Sequence, residues 1–536
     1  ISQSEYDEAV ADNVYDRIQL VNVELQDNGI NSYFIDELTD QVIRDLVEQK
    51  GYTETQAYKT LYQSGLTIYS TQDMDIQNIA DEEVNNQDNY TSSPKVSFSY
   101  RVSIRSTDGS VKNYSEQTML SYYKNKDNPN FKSTNYSINF ASEEDADAAI
   151  EQYKADIMQE GDEIVDGSET VIYTLQPQAS LTVIDQSTGE VKAIVGGRGD
   201  KTASKTLNRA TDTTRQPGST FKILAAYSAA LDAGGLTLAS VQDDAPYTYA
   251  GANGKSVNNY DRRYRGFTTL REAITDSINI VTVKTLAQAG VSLGWQYVQE
   301  YGFTTVDSRD MNEALALGGI TQGVSNLELT AAYAAIANQG TYIKPKFYTK
   351  ILDHDGNVLI DNTTPESHTV IKDTTAWLLT SAMEDVMTSG TGTSAYFGSS
   401  MAQAGKSGTT TSSRDALFAG YTPYYTCAVW GGYDDNAMQK GSDTNYPKRI
   451  WKAVMKRIHE NLAYKDFTKP SGIVAVAVCK ESGKLPIEGV CDHDPRGNCV
   501  ITEYFAQGTE PTEYCDHHTV ANICTASNML AGSYCP

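Results

Sequence analysis

The octapeptide Arg215-Gln216-Pro217-Gly218-Ser219-Thr220-Phe221-Lys222 constrains the fold more than any other stretch of this 536-residue chain. Its Pro-Gly pair ends a loop. Apolar residues then recur at helical spacing through Ile223, Leu224, Ala226, Tyr227, Ala230 and Leu231, until Gly234-Gly235 breaks the pattern. Ser219 is thereby predicted at a helix N-terminus, with Lys222 on the same face one turn on. A serine hydroxyl is a weak nucleophile until a base takes its proton. A lysine serves as that base only when neutral, so its pKa of about 10.4 must fall by roughly three units through burial and a nearby positive charge. The helix N-terminus contributes a little in the same direction, and an unpaired N–H there suits a developing oxyanion.

Taken alone, S-x-x-K is a serine N-cap followed by a solvated lysine. Two further segments supply what it lacks. Thr275-Asp276-Ser277-Ile278-Asn279 offers a hydroxyl to relay a proton and an amide to hold a substrate carbonyl. Ala404-Gly405-Lys406-Ser407-Gly408-Thr409-Thr410, on a predicted strand, offers the second lysine, and its glycine lets a substrate backbone approach closely. Each piece alone is a polar turn. Chance is a poor explanation for S-x-x-K, S-x-N and K-[ST]-G in that order, with a helix under the first and a strand under the third. The candidate catalytic residues are therefore Ser219, Lys222, Ser277, Asn279 and Lys406, and the candidate substrate and oxyanion positions are Ser407, Gly408 and Thr409.

Residues 1–64 are predicted helical, with Ile35, Leu38, Val42, Ile43, Leu46 and Val47 at three- to four-residue spacing and Gly51 as an interruption. Residues 65–71 switch to β-type alternation, and 73–86 return to helix with Asp73 as N-cap. Within 92–176, KVSFSYRVSIRS and KNYSEQTMLSYY alternate like exposed strands, and 141–158 is an amphipathic helix opened by Ser142. ASLTVIDQSTGEVKAIVGG (179–197) is a hairpin about Ser187-Thr188-Gly189. AYFGSSMAQAGKSGTT and DALFAGYTPYYTCAVWGGYD give further strand signals, with long helical stretches before them. Strands at both ends and helices between predict an α+β fold, with a helix-covered antiparallel sheet built from distant parts of the chain. The expected division is a helical segment (1–64), the start of the catalytic domain (65–91), a small α+β insert (92–176), the catalytic domain (177–465) and a Cys-rich tail of short strands and loops (466–536).

A net charge of −26 repels phosphate backbones and anionic headgroups, so nucleic acid is excluded as an expected partner. No run of about 18 apolar residues is present, and the opening ISQSEYDEAVADN lacks the basic and apolar regions of a signal peptide. Either the protein is cytosolic or the chain is a piece of a longer one. Six of the seven cysteines are Cys479, Cys491, Cys499, Cys515, Cys524 and Cys535. An even cluster in a short segment favours disulfides and an oxidising compartment. Zinc and free thiols are the competing readings. Cys491-Asp492-His493 and Cys515-Asp516-His517-His518 set imidazoles beside thiols, but no C-x-x-C pair is present. Disulfides are the expectation, and no metal or other cofactor is assigned. Cys427, in the apolar run YTCAVWGGY, is expected to be an inert core cysteine.

With these motifs the chain resembles the class A (bifunctional) penicillin-binding proteins of the 1A type. Flanking phrases carry the resemblance further: GLTIYSTQDMDIQ, LTVIDQSTGEVKAIVGG, NRATDTTRQPGSTFK, ALALGG and, more loosely, TEYFAQGTEPTEYC. That last phrase is similar to the trailer of Gram-positive members, and the Cys-rich end has a clostridial character. The resemblance implies a penicillin-recognising serine transpeptidase fold. It implies that residues 1–64 are a linker following a glycosyltransferase domain, and that the chain is a piece of a membrane-anchored enzyme on the extracytoplasmic face. Its partners would be peptidoglycan stem peptides and β-lactams.

In such an enzyme Ser219 attacks the penultimate D-Ala carbonyl of a stem peptide and expels the terminal D-Ala. Lys222 acts as base, Ser277 passes the proton towards the leaving amine, and Asn279 positions the acyl chain. Lys406 lowers the pKa of Lys222. Ser407 and Thr409 hold the substrate carboxylate, and the N–H groups of Ser219 and Thr409 form the oxyanion hole. An amine of a second stem peptide then resolves the acyl-enzyme, whereas a β-lactam leaves slowly. Ser407 replaces the commoner threonine, and the 92–176 insert lies outside the shared pattern. Three alternatives share the motifs. A serine β-lactamase or β-lactam sensor is opposed by the absence of E-x-x-L-N between Ser277 and Lys406. A D,D-carboxypeptidase is not separable by motif. A non-enzymatic scaffold is opposed by the intact residues.

Overall fold

The computed structural model describes residues 29–250, 254–527 and 529–533. Its centre is a five-stranded antiparallel sheet in the spatial order Ala404–Thr409, Asp415–Tyr421, Thr426–Gly432, Gln178–Asp185 and Glu190–Val195. The hairpin predicted at 179–197 forms one side of it, with Asp185 opposite Glu190. The strands from 404 to 432 add on through a Gly432–Gln178 to Thr426–Ile184 register. Because successive side chains point to opposite faces, the period of two sorts neighbours into different cores. Leu417, Ala419 and Tyr421 face one, and Phe418, Cys427 and Val429 face the other. Both faces are covered, so these strands are apolar runs with almost no exposed positions.

Helix Asn326–Ala337 lies across one face, and helix Asp373–Thr388 packs along the strand that carries Lys406. Helices Met74–Asn85 and Tyr446–Ile458 cover the other face, where Ile76, Ala80 and Val84 meet Trp451, Val454 and Met455. Asp73 caps the first of these, accepting from the Asp75 and Ile76 N–H groups. Helix Tyr33–Lys50, capped by Ser32 and ended by Gly51 at φ +67°, packs Phe34 edge-on to Phe347. Residues 1–28 of the predicted helical segment lie outside the described residues.

The 92–176 region has its own sheet and core. Strand Lys95–Arg105 pairs with Val111–Ser115, Glu163–Ile164 and Thr170–Gln176. Phe98, Tyr100, Ile104, Met119, Tyr123 and Tyr153 are buried together. One expectation fails here. KNYSEQTMLSYY is strand only to Ser115 and is then helix Glu116–Lys124. Ser115 and Thr118 form a capping box, and Met119, Leu120 and Tyr123 face the core at helical spacing, so the cap and the burial override the β-type composition. The strand signal over AYFGSSMAQ fails too. Gln403 donates to Gly398 O at 2.6 Å and accepts from Phe397 N–H at 3.2 Å, which holds this stretch as turns until Ala404.

The tail begins with hairpin Ile473–Cys479 and Val500–Ala506. It docks on the helical lobe through Glu503, which is fully buried and receives Arg271. The disulfides expected among the tail cysteines are absent at Cys479, Cys491, Cys499 and Cys515, whose thiols are unbridged. The physical reason is convergence: Cys479, Cys491 and Cys515 gather around His518 instead of pairing. Cys535 lies outside the described residues. Cys427 is fully buried in the sheet core, and burial raises its thiol pKa far above the usual range. Among the described residues, no helix is long and apolar enough to cross a membrane.

Candidate active site

Ser219 stands on a single tight 3-10 turn, Gly218–Thr220, rather than on a regular α-helical first turn. Wider π-type turns follow over Lys222–Tyr227 before the helix becomes regular at Ser228–Asp232. Such local widening recurs at functional positions. It is held here by the Ser228 hydroxyl, which donates to Ile223 O at 2.9 Å, and by the Tyr333 hydroxyl, which donates to Thr220 O at 2.6 Å.

Two glycines bring the turn against the edge strand. Gly218 has φ +54°, and a Cβ there would lie 2.8 Å from Thr409 O. A Cβ on Gly408 would lie 2.6 Å from Pro217 O. The backbones of the serine turn and of strand Ala404–Thr409 therefore touch, which sets the half-buried Ser219 beside the exposed Thr409 at an open edge.

Behind the serine, Lys222 is wholly buried. Its Nζ donates to Ser277 O at 2.6 Å, Asn279 Oδ1 at 2.7 Å and Ser277 Oγ at 3.2 Å. Lys406, also wholly buried, donates to the same Ser277 Oγ at 2.8 Å and to Ser407 O at 3.3 Å. Burial pulls the Lys222 amine well below the usual lysine range, and the charge of Lys406 pulls it further. Burial and then the charge of Lys448 bring Lys406 down to about 7. Two buried amines around one hydroxyl titrate as a pair, and the second proton is held weakly.

Ser277 lies between helices Leu270–Thr275 and Asn279–Ala289 at φ +56°, a left-handed conformation that is uncommon for a serine. Asn279 is fixed from outside the motif. Its N–H donates to Asn259 Oδ1 at 3.0 Å, its Nδ2 donates to Asn258 O at 2.7 Å, and Asn259 is itself anchored on buried Asp244 at 2.8 Å. This leaves Asn279 Oδ1 aimed at Lys222. On the edge strand, the Ser407 hydroxyl donates to Thr391 Oγ1 at 2.9 Å, and Lys448 Nζ donates to Thr391 O at 3.1 Å.

The predicted residues thus fall into two groups. Buried Lys222, Ser277 and Lys406 and half-buried Asn279 form one hydrogen-bonded network. Ser219, Ser407, Gly408 and Thr409 lie along the junction of the serine turn and the edge strand. Sequence reasoning missed Thr391, Lys448, Asn259 and Asp244. Lys448 sits in an amphipathic helix where a basic residue reads as solvated surface, and the other three carry no motif of their own.

The penicillin binding protein transpeptidase domain model matches residues 179–459, and the penicillin-binding protein 1A C-terminal domain model matches 469–520. Penicillin-binding protein 1A of Clostridium botulinum is 37% identical over 382 residues, 69% of this chain and 45% of that protein. The Clostridium tetani protein of the same name is 31% identical over 97% of this chain and 58% of its own length. The chain thus spans about half the length of these relatives. Among solved structures, penicillin-binding protein 1A from Haemophilus influenzae shares the fold at 22% identity and a TM-score of 0.65, covering 96% of this chain and 80% of that one. PonA1 from Mycobacterium tuberculosis in complex with penicillin V shares it at 20% identity and 0.55, covering 82% and 96%. The family match takes in the central sheet, the serine turn, the Ser277 loop and both lysines, and this chain therefore belongs to the penicillin-binding protein transpeptidase family.

Proposed function

We propose that this chain crosslinks peptidoglycan stem peptides through an acyl-enzyme on Ser219. The observation that carries the reading is the single Ser277 hydroxyl bonded by two buried lysines, 2.8 Å from Lys406 and 3.2 Å from Lys222. That arrangement keeps one amine neutral at working pH and provides a path for its proton. Lys222 takes the Ser219 proton as Oγ attacks the penultimate D-Ala carbonyl. The N–H groups of Ser219 and Thr409 receive the oxyanion. The proton passes by way of Ser277 to the nitrogen of the terminal D-Ala, which leaves as the amide bond breaks. Asn279 positions the acyl chain, and Ser407 and Thr409 hold the leaving residue's carboxylate. Attack by an amine of a second stem peptide forms the crosslink and frees Ser219.

A β-lactam presents a strained amide and a carboxylate in the same places. Ring opening on Ser219 then gives an ester whose leaving group stays tethered. We place the chain within a longer, membrane-anchored enzyme on the extracytoplasmic face, preceded by a glycosyltransferase domain. Residues 1–64 act as its linker, 92–176 as an insert and 466–536 as a C-terminal module.

Intact-protein mass after exposure to penicillin tests the acylation. One adduct is expected on the native chain and none on Ser219→Ala. An adduct on the alanine variant overturns the nucleophile assignment. Stem-peptide dimers among the products separate crosslinking from carboxypeptidase hydrolysis, and many turnovers per minute of a chromogenic cephalosporin would favour a β-lactamase instead.

A further inference from the structure

We propose that Cys479, Cys491, Cys515 and His518 form a closed, tetrahedral zinc site that holds the C-terminal module together. Three separate segments deliver these residues. Cys479 ends strand Ile473–Cys479, and its N–H is held by Lys484 O across the following turn at 2.8 Å. Cys491 opens the short turn Cys491–His493. Cys515 is tied back through its N–H to Leu485 O at 2.8 Å, and His518 follows two residues beyond the next. The three thiols and the imidazole nitrogen all lie within 4.8 Å of one another. His518 Nδ1 is 3.4 Å from Cys479 Sγ and 3.3 Å from Cys515 Sγ. Ligands around a tetrahedral zinc, with Zn–S of about 2.3 Å and Zn–N of about 2.0–2.1 Å, stand about 3.5–3.8 Å apart. The two sulfur–nitrogen distances are close to that spacing, and the whole set lies within 4.8 Å.

Three further features fit a metal better than a disulfide. First, the other ring nitrogen of His518 is occupied: Nε2 is 2.8 Å from Asp494 Oδ2. A carboxylate in that place fixes the tautomer and presents Nδ1 to an ion. Second, the Ile487 N–H donates to Cys491 Sγ at 3.2 Å, a bond that steadies a thiolate. Third, the cysteine end of the module has little apolar packing, whereas its hairpin packs Val478 and Phe505 against Ala239. Among the described residues, the apolar side chains packed on the buried cysteines are the partly buried Ile487 and Val500, so an ion would supply the cohesion that a small core cannot. A disulfide would use two of the three converging thiols and leave the third, with His518, outside the bond. Thiolate and imidazole in a closed set of four select zinc in a structural rather than a catalytic role, each thiol giving up its proton to solvent on binding.

The site also abuts the catalytic lobe. A Cβ on Gly483, in the Cys479 turn, would lie 2.3 Å from Ala239 O, and His517 stacks on Phe267 with ring centroids 4.5 Å apart.

The test uses the whole chain, reduced, loaded with zinc sulfate, desalted into metal-free buffer and analysed by inductively coupled plasma mass spectrometry. About one zinc per chain is expected, falling below about 0.2 in Cys491→Ser and in His518→Ala and staying near one in Cys499→Ser. Cys499 is the informative contrast, because Asp494, Cys499 and His518 form a second, three-residue grouping. Should the ligand variants not fold, the cobalt-loaded wild-type chain decides: tetrahedral d–d bands with thiolate-to-cobalt charge transfer support the site, and octahedral bands overturn it. Failure of the reduced wild-type chain to take up about one equivalent of zinc also overturns it, as does zinc lost from Cys499→Ser but retained in Cys491→Ser.

Discussion

Lys406 donates to the hydroxyl of Ser277 at 2.8 Å, and Ser277 offers that hydroxyl from a left-handed backbone at φ +56°. The strained conformation turns the side chain into the space between two lysines instead of letting the helix Leu270–Thr275 run on. Ser277→Ala removes the one oxygen among the described residues that both lysine amines contact. Acylation by benzylpenicillin is expected to slow by about 10²–10⁴-fold, the range of a positioned proton-transfer group. Stopped-flow measurement of the acylation rate checks this, and a loss below threefold would remove Ser277 from the proton path.

Gly408 is required for the approach of two backbones rather than for flexibility. An added Cβ would sit 2.6 Å from Pro217 O and 2.9 Å from Thr220 Cγ2, so the serine turn must back away from the strand. A displacement of about 1 Å at the reacting atoms is worth on the order of 10²-fold in rate. Gly408→Ala is expected to lose at least that in penicillin acylation while the thermal midpoint moves by only a few degrees. Wild-type acylation in this variant, measured by intact mass against time, would show that the junction does not position Ser219.

These two cases show what is legible in a single sequence. Ser219 and Lys222, Ser277 and Asn279, and Lys406 with Ser407, Gly408 and Thr409 each lie within one short element, so spacing alone groups them and their shared chemistry links the groups. Lys448 and Thr391 act across the fold, from a helix and a loop with no local signature, and only packing brings them to Lys406 and Ser407. The antiparallel sheet was legible from alternation and turn residues, whereas helix Glu116–Lys124 was hidden by its tyrosines and threonine until the Ser115 cap and its buried face were seen. The tail cysteines misled for a related reason. Their proposed ligand set draws on three segments and contains no C-x-x-C, so parity of number pointed to disulfides.

The tail is anchored by one buried ion pair. Arg271 donates to both carboxylate oxygens of Glu503, at 2.7 and 2.8 Å, to Asp385 Oδ2 at 2.7 Å and to Ser381 Oγ at 3.2 Å. Glu503 is fully buried, so removing its partner leaves an unpaired charge in the interior. Arg271→Met is expected to cost about 3–5 kcal/mol. It should appear as a lower urea midpoint and as faster proteolysis beyond residue 466. The double variant Arg271→Met with Glu503→Met replaces the pair by apolar volume and is expected to recover most of that loss. A single variant as stable as the wild type would show that the module is held elsewhere.

The lysine pair also sets a pH dependence whose sign follows from burial. Both amines have folded-state pKa values below the ordinary lysine value, with Lys406 at about 7 and Lys222 pushed well down by burial and by Lys406. Lys406 takes its proton at about pH 7, and at lower pH Lys222 takes the pair's second proton, which removes the neutral amine proposed to activate Ser219. Acylation by benzylpenicillin is therefore expected to fall about tenfold per pH unit along a single acid limb that lies below about pH 7. Lys448 supplies the second-largest push on Lys406, after burial. Taking away that cation in Lys448→Gln lets Lys406 hold its proton more firmly. The limb should move to higher pH by on the order of half a unit, and the rate at a fixed pH on the limb should drop by about threefold. Lys448→Arg, which keeps the charge, should leave the limb in place. A limb that moves to lower pH in Lys448→Gln, or that stays put, would mean that the proton controlling acylation is not shared by this pair.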